Sequence, residues 1–450
     1  MLLMTLRLNL TQSLLAFLFR TEQPCVSDAI ESVCQALEKE FVSDNLGYNQ
    51  PNLTRDDATR DHSRKLVNKL FCDAKEEDVM FLIADGTYIY VQKPTDFAEQ
   101  MKTFSMHKHR NLQKCIMIIL PSGYILEAAG MYGADGDNND AKIMEHLIKY
   151  SPLRLFIRPR DRVISDRGFR DGKAPMEESG LIVLMLEFLA KNHKQFSTAE
   201  GNSSRKVKMV RWTVEAVNGR LKNVFRFFEA VVPGSYKSKI GRFIRIACAI
   251  LNKYYGPIMK DKDHHERLEE VVTERADWSN GFQQEISDKG WSRLTPSVWL
   301  KASPESAPDF PQLSWKELED VTLGVYQLKM GELYNRQHMN EDGHYVTYVH
   351  KDAPDVVRAR LQSRYSKSSK HDLWIRYTNG DGIAKIGAYY CDCKCGARVV
   401  GCCSHIASVL RYLSYDRHQP PSQKSRRSRT SLIMDAAKLL KGLDTTDENN

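Results

Sequence analysis

A chain of 450 residues is too long for one ordinary hydrophobic core, and its length predicts about two or three domains. With 42% hydrophobic and 27% charged residues it reads as globular, which excludes an intrinsically disordered chain, and no apolar run is long enough to span a bilayer. A formal net charge of +8 suits a polyanionic partner without identifying one.

The chain opens with "MLLMTLRLNLTQSLLAFLF". Arg7, Asn9, Thr11, Gln12 and Ser13 interrupt its apolar residues and no small-residue cleavage site follows. It reads as an amphipathic helix, with a signal peptide as the second reading. Within residues 11–42, "TQSLLAFLF", the break "RTEQP" and "CVSDAIESVCQALEKEF" predict two helices, the second with Val26, Ile30, Val33, Leu37 and Phe41 on one face. Such a pair suits a helix-turn-helix over residues 1–60 or a simple packed pair. The charged stretch "TRDDATRDHSRK" then leads to a new unit.

Residues 76–255 carry an ordered series of elements. Strand "DVMFLIADGTYIYV" is followed by the basic loop "FSMHKHRNLQK", strand "CIMIILP", the turn "SGY" and strand "ILEAAG". A Gly/Asp/Asn loop opens helix "AKIMEHLIKY", and strand "DRVISD", a long insertion, helix "VKMVRWTVEAVNGRLKNVFRFF" and helix "KSKIGRFIRIACAILNKYY" complete the unit. This order predicts an α/β domain, a mixed sheet flanked by helices. Residues 256–310, charged and rich in Asp, Glu, Ser and Pro, are expected to be a linker or insertion. A small α+β unit is expected over 311–415. The tail 416–450 holds the basic run "KSRRSR", Lys424 to Arg429, and one short helix, "SLIMDAAKLLKG".

Asp85 stands inside the apolar run "FLIADGTYIYV" and Asp166 ends "RVISD", each followed within two positions by glycine. A buried unpaired carboxylate costs several kcal/mol, so Asp85 needs a cation, a donor or a metal; alone, it would also fit a turn. If the two strands are neighbours, both carboxylates project from one place on the sheet. Helical spacing puts Arg211, Glu215, Asn218 and Lys222 on one face beside an apolar stripe of Val214, Val217, Leu221, Val224 and Phe228. The stripe would dock the helix on the sheet and bring Glu215 to the aspartates; the plainer alternative pairs Glu215 with Arg211 on a solvated face. Three such carboxylates can hold two Mg²⁺ ions about 3.5–4 Å apart for chemistry on a phosphodiester.

Of the ten cysteines, five lie between Cys391 and Cys403, a clustering that points to metal rather than disulfides. The sequons at Asn9, Asn52 and Asn202 are then chance matches. Cys391, Cys393, Cys395, Cys402, Cys403 and His405 offer more ligands than the four that a tetrahedral zinc site takes, and Cys393 with Cys395 is a second Cys-x-Cys pair.

The blocks "ADGTYIYVQKP", "FSMHKHRNLQKCIMIILPSGYILEAAGMYGADGDNNDAKI", "SDRGFRDG" and "SSRKVKMVRWTVEAVNGRLK" resemble the PIF/Harbinger-type DDE transposases, over most of residues 10–255. The resemblance implies an RNase H-like fold in which Asp85, Asp166 and Glu215 bind the catalytic Mg²⁺ or Mn²⁺. It also implies an N-terminal helix-turn-helix and a double-stranded DNA substrate. Asp140 falls where these proteins commonly have an aspartate and is an auxiliary; its other reading is the cap of the following helix. Arg211 and Lys222 are expected to neutralise the scissile phosphate or orient Glu215. The basic groups Lys102, His107, Lys108, His109, Arg110 and Lys114, and Arg205, Lys206, Lys208, Arg211, Arg220 and Lys222, fit phosphate contacts.

Cys-x-Cys followed by Cys-x-His resembles the SWIM zinc finger, here over 389–413, and implies Cys391, Cys393, Cys403 and His405 as the Zn²⁺ ligands. The expected function is a transposase or endonuclease that cuts and joins DNA in the nucleus, with the basic run read as a nuclear import signal or a phosphate-binding tail. The alternative is a domesticated DNA-binding or chromatin adaptor without activity. A DNA-binding partner protein and an oligomer are both compatible with this reading, and no membrane partner is expected.

Overall fold

The computed structural model describes residues 1–73, 76, 78–259, 264–302, 310–338, 346–364, 366 and 368–419. The run Lys424–Arg429 and the helix expected after it lie outside these residues. The chain forms two compact units, Met1–Glu187 with Ser203–Thr273, and Phe188–Asn202 with Glu274 onward.

The first unit begins with helices α1 (Leu2–Leu8), α2 (Gln12–Phe19) and α3 (Gln23–Leu37). The opening stretch, expected as one helix, is thus two. Asn9 turns into the left-handed region at φ 56°, and the Thr11 side chain accepts the Leu14 N–H to start α2. Arg20, also left-handed at φ 50°, ends α2 before Pro24 helps to start α3.

The sheet of this unit runs β2 (Phe104–Ser105), β3 (Arg110–Ile119), β1 (Phe81–Tyr90), β5 (Arg162–Ile164), β6 (Ile182–Leu184), with β4 (Ile125–Tyr132) also paired to β3. β1, β3 and β4 are antiparallel neighbours, whereas β5 and β6 run parallel to β1. On one side of the sheet, Leu82, Ala84, Ile116, Ile118 and Val163 share a core with Ile143, Met144 and Leu147 of helix α4 (Asp140–Tyr150). Helix α5 (Thr198–Val224, its residues from Ser203 belonging to this unit) turns Val207, Val210, Val214, Val217 and Leu221 inward. Helix α6 (Ile240–Tyr254) packs on β4, where Asn252 bonds both the N–H and the carbonyl of Ile125 at 3.0 and 2.7 Å.

Two differences from the sequence reading have simple causes. The expected long insertion contains β6, part of the continuous apolar run Leu181–Leu186, which shows no alternation to mark it as a strand. The basic loop is also shorter than expected, because Arg110 and Lys114 are already on β3.

The second unit is an antiparallel sheet in the order β11 (Ile386–Cys391), β10 (Lys370–Tyr377), β9 (Ala353–Gln362), β8 (Thr347–His350), β7 (Trp299–Ala302). Helices α8 (Trp315–Thr322), α9 (Val325–His338) and α10 (Ser404–Ser414) accompany it, and Leu318, Leu328, Ile406, Val409 and Leu410 share a core with Val357, Leu373 and Ile375. Within the segment 256–310, expected as a linker or insertion, the described part after residue 274 is packed: α7 (Gly281–Asp288), β7 and the stretch between them bury Phe282, Ile286, Trp291 and Trp299 in a common cluster with Val356 and Trp374. Averaging a charged segment hid those four spaced anchors.

Candidate active site and metal centre

The parallel pairing of β1 and β5 sets Ile83 opposite Ile164. Two residues further along each chain stand Asp85 and Asp166, so the register brings both carboxylates to the same level of the sheet. Asp161 fixes that register from below. Its carboxylate takes both ends of the Arg55 guanidinium at 2.8 Å and the N–H groups of Met80 at 3.0 Å and Arg158 at 2.7 Å, tying the starts of the two strands together. Sequence reasoning passed over Asp161. A charged residue at a strand entrance carries no distinctive pattern.

Helix α5 supplies the third carboxylate. Arg211 donates to Glu215 at 2.5 Å and to Asp85 at 3.1 Å, and its guanidinium lies 3.8 Å from Asp166. The three predicted acids therefore meet around one cation. Asn218, one turn on, donates to the other Asp85 oxygen at 3.3 Å. Lys222 is placed differently: it donates to the Tyr88 carbonyl at 3.1 Å and so ties α5 to β1. Burial holds the Lys222 ammonium below its ordinary pKa.

Asp140 joins this group from the start of α4. The cap of α4 is Asn139, whose side chain accepts the Lys142 N–H at 2.9 Å, so Asp140 is left to other contacts. Lys114 lies 3.3 Å from its carboxylate. A Cβ on Gly86 would come within 3.2 Å of an Asp140 oxygen, and one on Gly168 within 3.3 Å of the same atom. Asp166 itself accepts the Gly168 N–H at 2.8 Å, which sets its side chain in a tight turn.

Burial pushes the Asp85 carboxyl up to about 6; the nearby Arg211 opposes the rise and Asp166 adds to it. For Arg211, burial works against the charge, but Asp85, Glu215 and Asp166 together hold its pKa above the ordinary value. Glu215 is about half exposed, so the cluster opens to solvent on the α5 side. The donor set suits a hard divalent cation, all carboxylate oxygen, and the buried Asn218 Oδ1 has no hydrogen-bond partner among the described residues. As they stand the acids each face Arg211, and among the described residues only Cys391, Cys393, Cys403 and His405 draw their ligand atoms within 4.8 Å of one another. Asp85, Asp166 and Glu215 would have to close on such an ion to hold it, with Asp140 at the margin.

Residues 84–252 match the family model described as the DDE superfamily endonuclease. That span runs from the residue before Asp85 to α6 and includes all four acids. The match supports a nuclease acting on DNA, in the general terms of that superfamily. No curated protein and no solved structure matches the chain.

Around the acids, β1 and the basic β2–β3 region form aromatic–cation pairs, with Lys108 5.4 Å from the Tyr88 ring centre and Arg110 4.3 Å from that of Tyr90. Of the other expected phosphate contacts, Lys102 is paired with Asp135 at 2.8 Å and Arg220 donates to the Gly256 carbonyl at 2.7 Å.

In the second unit, Cys391 ends β11, Cys393 lies in the turn after it, Cys403 precedes α10 and His405 is in its first turn. Their ligand atoms all lie within 4.8 Å of one another, a cluster that could hold a metal ion. The His405 Nδ1 faces the Cys391 and Cys403 sulfurs at 3.7 and 3.9 Å. Cys395 and Cys402 are outside this group, so the second Cys-x-Cys pairing is not the one assembled. Burial pushes the Cys391 thiol well above its ordinary pKa, and coordination would reverse that by holding the thiolate.

The loop is built tightly. A Cβ on Gly396 would collide with the Cys391 carbonyl, and Gly401 sits at φ 61° against the Thr322 carbonyl. Gln195 holds the carbonyls of Cys391 and Cys393, at 2.7 Å each, while Asn202 receives the N–H groups of Val399 and Val400 at 3.0 Å. Both supports come from a segment 196 to 198 residues away in sequence, beyond the reach of local patterns.

Proposed function

We propose that the chain is a Harbinger-type DDE transposase, or a host protein derived from one, that cuts and rejoins double-stranded DNA. What carries this reading is the common level of Asp85 and Asp166 on parallel neighbours, with Glu215 brought to the same guanidinium from α5. The sheet order, three antiparallel strands followed by two parallel ones, is in keeping with the RNase H-like fold expected of such an enzyme.

Mg²⁺ or Mn²⁺ held by the three carboxylates would activate water or a 3′-hydroxyl for in-line attack on a phosphodiester and stabilise the leaving oxygen. The chain's own part is to place these acids. β1 and β5 fix two of them through strand pairing, and Lys222 and Asn218 hold α5 so that Glu215 can complete the set. Lys108 and Arg110, on exposed positions near β1, offer charge to the DNA backbone without reading bases. The Cys391, Cys393, Cys403 and His405 cluster is read as a SWIM-type structural zinc site, closed by four protein ligands. The helix pair α2 and α3 is read as the helix-turn-helix, and the basic run near residue 424 as a nuclear import signal.

The test is metal-dependent nicking of labelled duplex DNA by the full chain beside Asp85→Ala and Glu215→Ala. Nicking by the wild type alone is the expected result. Salt-sensitive DNA binding without nicking by any of the three, in either metal, would favour the domesticated adaptor instead.

A further inference from the structure

Arg211 contacts all three carboxylates proposed to hold the metal, at 2.5 Å from Glu215, 3.1 Å from Asp85 and 3.8 Å from Asp166. Its side chain is only 16% exposed. A guanidinium keeps its proton at any accessible pH, so this cation cannot be titrated away. Hard divalent ions bind carboxylate oxygens at about 2.0–2.1 Å for Mg²⁺, and a fixed positive group on the same oxygens would repel such an ion strongly in a partly buried site. With Arg211 on one oxygen of each, the acids bind a metal more weakly than they would without it.

A second observation points to where the guanidinium goes. Its Nε is buried and has no hydrogen-bond partner among the described residues, so the acid-bound pose leaves one donor unused. A phosphate can take two parallel guanidinium N–H groups at once, Nε included. Glu215, the closest of its three partners, is also the most exposed, which gives a route outward toward a bound backbone.

We infer that Arg211 is a resident counter-cation that keeps the acids together before loading and moves onto a DNA phosphate when substrate arrives, so that DNA and divalent metal bind cooperatively. This rests on the nuclease reading of the site. Coupling between two ligands is reciprocal: if DNA removes the competing cation, DNA tightens metal binding and metal tightens DNA binding by the same factor.

The experiment is a calorimetric titration of Mn²⁺ into the full chain, with and without a phosphorothioate-backbone duplex that resists hydrolysis, for wild type, Arg211→Gln and Arg211→Lys. Circular dichroism establishes that each variant is folded. In the wild type, duplex is expected to raise Mn²⁺ affinity about tenfold, within the usual span of about 5–150-fold for such couplings. Arg211→Gln is expected to bind Mn²⁺ that much more tightly without DNA and to gain little when DNA is added, while Arg211→Lys keeps part of the coupling.

Mn²⁺ affinity in the wild type that is unmoved by duplex overturns the inference, whatever the variants do. So does an Arg211→Gln protein that binds Mn²⁺ no more tightly than wild type. If Asp85→Asn abolishes Mn²⁺ binding in those cases, the carboxylate site stands and only the coupling falls; if no protein binds Mn²⁺, both fall.

Discussion

At the scale of single residues, Asp85 shows how burial and chemistry pull against each other. Its carboxyl is raised from an ordinary 3.8 to about 6, first because it is buried and then because Asp166 and Glu215 are near, with Arg211 opposing. A carboxylate raised in the folded state favours its protonated form there, so the stability it contributes is fully present below pH 4 and is lost as pH rises to about 6. A shift of this size corresponds to on the order of 3 kcal/mol. Asp85→Asn is therefore expected to melt at a higher temperature than wild type at pH 7.5, with the advantage gone at pH 4, as thermal denaturation at both pH values will show. The same titration makes Mn²⁺ binding by the wild type weaken as pH falls below about 6.

Asp85 was also the most legible residue in the sequence, because a carboxylate inside an apolar run followed by glycine violates the strand pattern. Its partners were less so. Helical spacing put Arg211, Glu215, Asn218 and Lys222 on one face, but spacing cannot say that Lys222 reaches a strand carbonyl while Arg211 reaches three acids.

At the scale of elements, the parts that position the site are anchored away from it. Asp161 joins the entrances of β1 and β5, and its bond to Arg55 is buried at both ends, with side chains 1% and 9% exposed. Removing one member of such a pair leaves a buried charge unpaired, at a cost of about 3–5 kcal/mol. Asp161→Ala is expected to lose that much in a denaturant titration and to lose nicking through displaced strands rather than lost chemistry. In the sequence, the three antiparallel strands, α4 and α5 announce themselves by long apolar runs and helical stripes, and β5 by the aspartate that closes it. β6 lies in the apolar run Leu181–Leu186, which the reading of a long insertion passed over, and β7 lies in a stretch whose charge outweighs its tryptophans. Local composition loses wherever a short strand is completed by distant partners.

At the scale of the whole molecule, the two proposed metals have different jobs and so separable signatures. The Cys391, Cys393, Cys403 and His405 site joins β11 to α10 inside the second unit's core, and a closed site of this kind contributes folding energy. A zinc chelator is expected to lower the melting temperature by several degrees. Omitting Mg²⁺ is expected to abolish nicking with far less effect on melting, and scanning calorimetry beside the nicking assay will separate the two. DNA affinity should fall linearly with salt on logarithmic axes. Lys108→Ala and Arg110→Ala should each reduce that slope by about one if each meets a phosphate, as fluorescence anisotropy across a salt series will measure.

Gly86 and Gly168 lend Asp140 its room, since a methyl group on either would press against the same carboxylate oxygen. The spacing of the acids is thus set partly by matter that is missing. Gly86→Ala would perturb the cluster by volume alone, leaving every charge, every helix cap and the strand pairing as they are. Such a change should alter the site's preference between Mg²⁺ and the larger Mn²⁺ more than its total affinity, a steric dial on ion size that no exchange of charged residues could turn so cleanly.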